Sequence, residues 1–254
     1  MDIAGEAPAY GRFGDHPSSL GIKCMIRCRL PELMDQPILD EHQHTHALDA
    51  LNRINRMLGT DQVLYACLRK VNGGDPSSVL DLGSGGGGFL GYIASQNADG
   101  TDQMLLGLDK SAFAIRQAEH WQPNNIRWLC ADVLHMPLAR NSVDWVTSSL
   151  FLHHFDEEVV VDILRAASQV ARKGVVMADL TRSRPALALT WLTTRLTSRS
   201  QVFHIDGPCS VRAAFRPREL QALAESAGLK GARVTRRFPF RMFLIWRKAS
   251  ERTP

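Results

Sequence analysis

The residues able to do chemistry cluster in a few short stretches. Asp81 stands two positions ahead of a glycine run in the segment V-L-D-L-G-S-G-G-G-G-F-L, Val79 to Leu90. An apolar run, an acid, a glycine turn and a second apolar run describe a strand, a tight loop and the start of a helix. Glycines let the backbone approach a bulky ligand where a side chain would collide. The helix start offers unpaired N–H groups to an anionic group. Further on, L-L-G-L-D ends in Asp109, C-A-D-V carries Asp132 and Val133, and S-V-D-W-V-T-S-S runs into Leu150-Phe-Leu-His-His-Phe155. An acid closing a strand can accept from both hydroxyls of a ribose. A neutral imidazole at His153 or His154 could take a proton from a phenol or enol. The competing role for each acid is a loop residue or helix cap, and for each histidine a packing residue.

The glycines alone leave two cofactors open. Gly83, Gly85 and Gly88 fit G-x-G-x-x-G, which suggests a dinucleotide. Gly83, Gly85 and Gly87 fit G-x-G-x-G, which suggests S-adenosylmethionine. The surrounding series, taken in order, resembles the class I S-adenosylmethionine-dependent methyltransferases of the small-molecule type, over roughly residues 76 to 250. The resemblance implies that Asp81, Gly83, Ser84, Gly85 and Gly87 underlie the methionine part of the cofactor, with Ser149 at the end of the fourth strand beside it. It implies that Asp109 binds the ribose, with Lys110 beside the adenine. It gives Asp132 the adenine amino group and the Val133 N–H a ring nitrogen. It favours His154 over His153 as the base.

The elements must place these groups along one edge. Strands at 79–82, 104–108, 126–129, 143–148 and 174–179 alternate with helices at 88–97, 111–120 and 157–171. Such alternation implies a doubly wound, mostly parallel α/β sheet, Rossmann-like in form, with helices on both faces. A helix from Arg216 to Ala227 and strands at 234–238 and 243–246 follow. They predict an antiparallel C-terminal hairpin and a seven-stranded sheet. A dinucleotide enzyme would more often continue with parallel units. Arg172-Lys-Gly174 reads as a turn.

Three regions are expected: a loose tail over 1–20, an N-terminal helical cap over 21–75, and the catalytic domain over 76–254 with an inserted substrate lid at about 181–214. In the cap, Leu48, Leu51, Ile54 and Leu58 recur at helical spacing, and a second helix is expected from Asp61 to Val71. In the lid, Leu189, Leu192 and Leu196 share a face, and the stretch from there to Ala214 reads as irregular. Trp191, Phe203 and His204 are the candidate acceptor contacts there.

Composition excludes several classes. No apolar run of about 18 residues exists, so no membrane span is expected. The acidic, weakly apolar start does not read as a secretory signal. Five cysteines without a dense framework fit reduced thiols in a cytoplasm. Neither the Cys24–Cys28 pair nor His42, His44 and His46 comes with a further ligand, so no metal is expected. From Arg182 to Pro254, 15 Lys and Arg face 4 Asp and Glu, a net of +11 within a chain of net +4. That basic quarter can meet an anionic surface or a carrier protein. No specific nucleic-acid partner is expected. Ser148-Ser-Leu-Phe replaces the Asn/Asp-Pro-Pro-aromatic signature of nucleic-acid amino methylation. The acceptor is therefore expected to be a small molecule, methylated on oxygen or carbon, with an aromatic, polyketide or phenolic lipid suiting an apolar lid.

Overall fold

The computed structural model describes residues 25–30, 59–96, 103–197 and 201–249. The expected tail, the first cap helix and His42, His44 and His46 lie outside the described residues.

α1 (Thr60–Asn72) precedes β1 (Ser78–Leu82), α2 (Gly88–Gln96), β2 (Met104–Asp109), α3 (Ala112–Trp121) and β3 (Ile126–Cys130). β4 (Val143–Ser149), α4 (Glu157–Val170), β5 (Ala171–Leu180), α5 (Arg184–Thr197), α6 (Gln201–Ala213), α7 (Pro217–Ser226), β6 (Arg233–Arg237) and β7 (Arg241–Arg247) complete the order. The strands form one sheet, β3-β2-β1-β4-β5-β7-β6. β1 to β5 pair in parallel, and β7 runs antiparallel between β5 and β6. The central strand β1 is buried throughout, as a strand covered on both faces must be. One face packs Leu80, Val146, Met177 and Leu244 under α4 and α7. The other packs Val79, Trp145, Val176 and Phe243 against α1 and α2.

Two local expectations are corrected. Residues 172–174 lie inside β5 rather than in a turn, because β5 starts at Ala171 opposite Val143. Gly174 is required there, since a Cβ would run into the Trp246 backbone and the Trp145 ring. The stretch after Thr197 also contains a helix, α6, which carries Gly207 and Pro208. Those two residues make the sequence read as irregular. The helix is held by packing, for the Thr190 and Thr194 methyls of α5 lie 3.2 and 2.8 Å from where a Gly207 Cβ would sit.

Candidate active site

The strand ends bring the sequence-derived residues to one edge. Asp81 is buried on β1 and accepts from Thr147 Oγ1 of β4 at 2.8 Å. Burial pushes its pKa up to about 7, against the Thr147 hydrogen bond. The chain then turns at Gly83, with φ of 63°, where a Cβ would strike the Phe151 ring. Gly85 also has a positive φ, but its Cβ position is open to at least 4 Å. Its N–H donates to Asp109 Oδ2 at 2.9 Å, while Ser111 N–H donates to Oδ1 at 2.8 Å. Asp109 thus ties the glycine loop to the end of β2. Asp132 caps the short turn Val133–His135 by accepting from Leu134 N–H at 2.9 Å, and lies 3.5 Å from the Lys110 ammonium. The Leu134 N–H, with Lys110 adding to it, holds the Asp132 carboxyl below the usual carboxylate range. The Val133 side chain is buried.

This loop fits S-adenosylmethionine. Gly85 leaves an open cradle beside Asp109, and the buried hydroxyls of Ser84 and Ser148 have no hydrogen-bond partner among the described residues. A buried hydroxyl without a partner is disfavoured unless a ligand or water completes it. Ser149, half-buried, ends β4.

Beyond Ser149 the chain bends sharply. Leu150 adopts φ of 55°, a strained conformation for a leucine, and its N–H donates to Ala178 O at 2.9 Å. The bend aims the single turn Leu152–His154 at the end of β5. There His153 Nδ1 meets Asp179 Oδ1 at 2.7 Å, and the His153 backbone N–H donates to Oδ2 at 3.0 Å. Both side chains are buried. Burial pushes the Asp179 carboxyl up, but the His153 charge and hydrogen bond outweigh it and hold it below its ordinary value. His154 is half-buried, its ring centroid 4.4 Å from that of His153.

α6 packs on this turn. His204, half-buried, and Phe203 are both on α6. Trp191 is 51% exposed on α5 with the Arg195 guanidinium 4.2 Å over its ring. Leu189, Leu192 and Leu196 are also exposed, whereas Ala186 and Thr194 on the same helix are buried. Trp191 therefore does not share the enclosed side of α5.

Three participants escaped the sequence reading. Asp179 stands one residue before the end of β5, much as Asp109 ends β2, and that similar pattern could have revealed it. Phe151 fills the space that Gly83 leaves open. Arg27 carries no local signal: its guanidinium donates to Ala213 O at 2.6 Å, Phe155 O at 2.7 Å and His153 O at 3.2 Å. Among the described residues no group of three or more His, Cys, Asp and Glu is placed to hold a metal.

Residues 79–174 match a family model described as a methyltransferase domain. That stretch of the chain is thus similar to a methyltransferase domain. Over 149 residues it is 28% identical to a malonyl-[acyl-carrier protein] O-methyltransferase of Marinomonas sp., covering 58% of this chain and 53% of that protein. Over 78 residues it is 32% identical to the biotin biosynthesis bifunctional protein BioHC of Cellvibrio japonicus, covering 31% of this chain and 14% of that one. The matches thus span about half of the first of these relatives and far less of the second. Among solved structures, the plantazolicin methyltransferase BpumL with a monoazolic desmethylPZN analogue and S-adenosylhomocysteine superposes with a TM-score of 0.63 at 16% identity, over 82% of this chain and 91% of that one. Human N-acetylserotonin methyltransferase with S-adenosylmethionine gives 0.60 at 16%, over 81% and 56%. These likenesses carry the fold. The antiparallel β7 between β5 and β6 also separates this methyltransferase domain from the continuing parallel units of a dinucleotide enzyme.

Proposed function

We propose that this chain transfers a methyl group from S-adenosylmethionine to an oxygen of a small acceptor, with His153 as general base. The observation that carries this reading is the buried His153–Asp179 pair beside the glycine loop. The cofactor would supply an electrophilic methyl group on sulfur; the residues of the chain bind, orient and move the proton. Asp81, Ser84, Gly85 and Asp109 would hold the methionine and ribose parts, with Lys110, Asp132 and Val133 around the adenine. Asp179 fixes the His153 ring through Nδ1, which makes Nε2 the basic nitrogen. Its negative charge stabilises the imidazolium formed as the acceptor hydroxyl loses its proton. That pairing favours His153 over its neighbour His154. The segment 181–214, with α6 on the histidine turn, would cover the acceptor and exclude water.

Incubating the chain with labelled S-adenosylmethionine and a metabolite pool identifies the acceptor by the label it gains. His153→Ala should then lower turnover by about 10² or more, with affinity for S-adenosylhomocysteine kept. The loss should shrink as pH nears the pKa of a phenol, about 10. Unchanged turnover in His153→Ala would contradict the assignment.

A second reading concerns delivery. The outer strand β6 exposes Arg233, Arg236 and Arg237, and Phe238 beyond it is 91% exposed. Thr181 N–H donates to Phe240 O, so this basic tip adjoins the end of β5. It suits an acceptor presented on an acidic carrier protein, in keeping with the name of the Marinomonas relative.

A further inference from the structure

We propose that Arg241 grips an oxyanion, a carboxylate or phosphate, borne by the acceptor away from the oxygen that is methylated. This rests on the methyl-transfer reading above.

Arg241 opens β7 opposite Leu180, the residue after Asp179. Paired residues on antiparallel strands stand about 5 Å apart. Arg241 is therefore one strand across from the His153–Asp179 pair, on the carboxyl edge of the sheet. Asp81 and Asp109, near the ends of β1 and β2, and Asp132, just after β3, lie on the other side of β4. The β5–β7 side is left for the acceptor.

Alternation along β7 puts Arg241 on the face of Phe243, which packs with Leu64, Tyr65 and Leu68 of α1. α1 runs opposite to β5. Its last residue, Asn72, accepts from Lys173 Nζ at 3.2 Å near the start of β5. The 13 residues of α1 rise about 20 Å, and the strand from Lys173 to Leu180 spans about 23 Å. Thr60, the first residue of α1, thus stands near the level of Arg241. It is 3% exposed and its hydroxyl has no hydrogen-bond partner among the described residues.

The Arg241 Nε is enclosed and lacks a hydrogen-bond partner among the described residues. Burial lowers the guanidinium pKa to about 10, against the pull of Asp179, so the charge persists at neutral pH. No hydrogen bond joins it to Asp179, whose oxygens accept from His153 and from Leu180 N–H at 2.6 Å. An enclosed guanidinium nitrogen without a partner is disfavoured unless a ligand completes it. The contrast is Arg182, which is buried: its Nη1 and Nη2 reach Ala214 O at 2.9 Å and Glu219 Oε1 at 2.6 Å and lock α7 to the end of β5. The planar fork of a guanidinium matches a carboxylate or phosphate through two parallel hydrogen bonds.

The test titrates the full chain, saturated with S-adenosylhomocysteine, with malonate, inorganic phosphate and neutral malonamide by calorimetry. The wild type should bind one of the anions in preference to malonamide, and which anion binds separates a carboxylate from a phosphate. Arg241→Met should weaken that binding by about 10- to 100-fold, and Arg241→Lys by less. Equal anion affinity in wild type and Arg241→Met, or no preference for anions over malonamide, would overturn the proposal. If Arg241→Met does not fold, anion affinity unchanged in Arg241→Lys and no preference over malonamide would do the same. Affinity for S-adenosylhomocysteine is read separately. Its absence in the wild type would overturn the methyl-transfer reading, while the same titrations without it still report on Arg241.

Discussion

Asp81 is an acid held where acids are disfavoured. Its pKa of about 7 lies well above the unfolded value near 3.9. The native chain therefore binds more protons than the unfolded chain between those values. The stability this contributes is full below about pH 4 and is lost as pH rises through about 7. The difference between the two values corresponds to about 4 kcal/mol. Asp81→Asn should lack this dependence. Urea unfolding of both forms should show wild type losing stability relative to the variant between pH 5 and 8, and parallel curves would contradict the shift. Asp109→Ala should weaken S-adenosylhomocysteine by about 1.5–3 kcal/mol in calorimetry, since it removes a carboxylate and frees the Gly85 N–H. The positions of Asp81 and Asp109 were legible because one stands in an apolar run just before the glycines and the other ends an apolar strand. The pairing of His153 rather than His154 with Asp179 was not. It depends on the Leu150 bend, which aims one ring at Asp179, 26 residues away.

Residues 25–30 act on the site as an element. Arg27 joins the histidine turn to the end of α6, with its guanidinium 3.9 Å over the Phe215 ring. Arg29 adds a bidentate pair to Asp156 at 2.9 and 2.7 Å. Arg27 is half-buried, so each lost hydrogen bond leaves a carbonyl with less water to replace it. Arg27→Ala should destabilise the chain by about 2 kcal/mol in urea unfolding and speed amide exchange at His154 and Phe155. Arg29→Ala, at an exposed and solvent-screened pair, should cost markedly less. Equal costs would remove the special place of Arg27. Periodicity and turn residues disclosed the described core strands and helices to within a few residues, because each has its own apolar pattern. They could not disclose this strap, whose hydrogen-bond partners lie 125 to 191 positions away. α6 was hidden for a related reason: Gly207 and Pro208 argue against a helix locally, and packing against α5 overrides them.

The whole molecule carries its charge unevenly, and the fold gives that asymmetry a place. Seven arginines of the basic quarter, Arg184, Arg195, Arg218, Arg233, Arg236, Arg237 and Arg247, are exposed. Three of them sit on β6, the outermost strand, whose tip adjoins the proposed acceptor side. Unpaired strand edges invite association, and positive charge along this one selects a negative partner. The effect of such charges reaches about 8–10 Å at physiological salt. Once an acceptor is known, the triple variant Arg233→Glu, Arg236→Glu and Arg237→Glu separates the two modes of delivery. For an acceptor carried on an acidic protein, kcat/KM should fall by about tenfold or more at low salt, and the gap should close as salt rises. For a free acceptor reaching Arg241 from solution, the same variant should leave kcat/KM within about twofold, because exposed charges beyond a screening length add little. A large, salt-insensitive loss would instead mean that β6 shapes the site itself, and the delivery reading would fall.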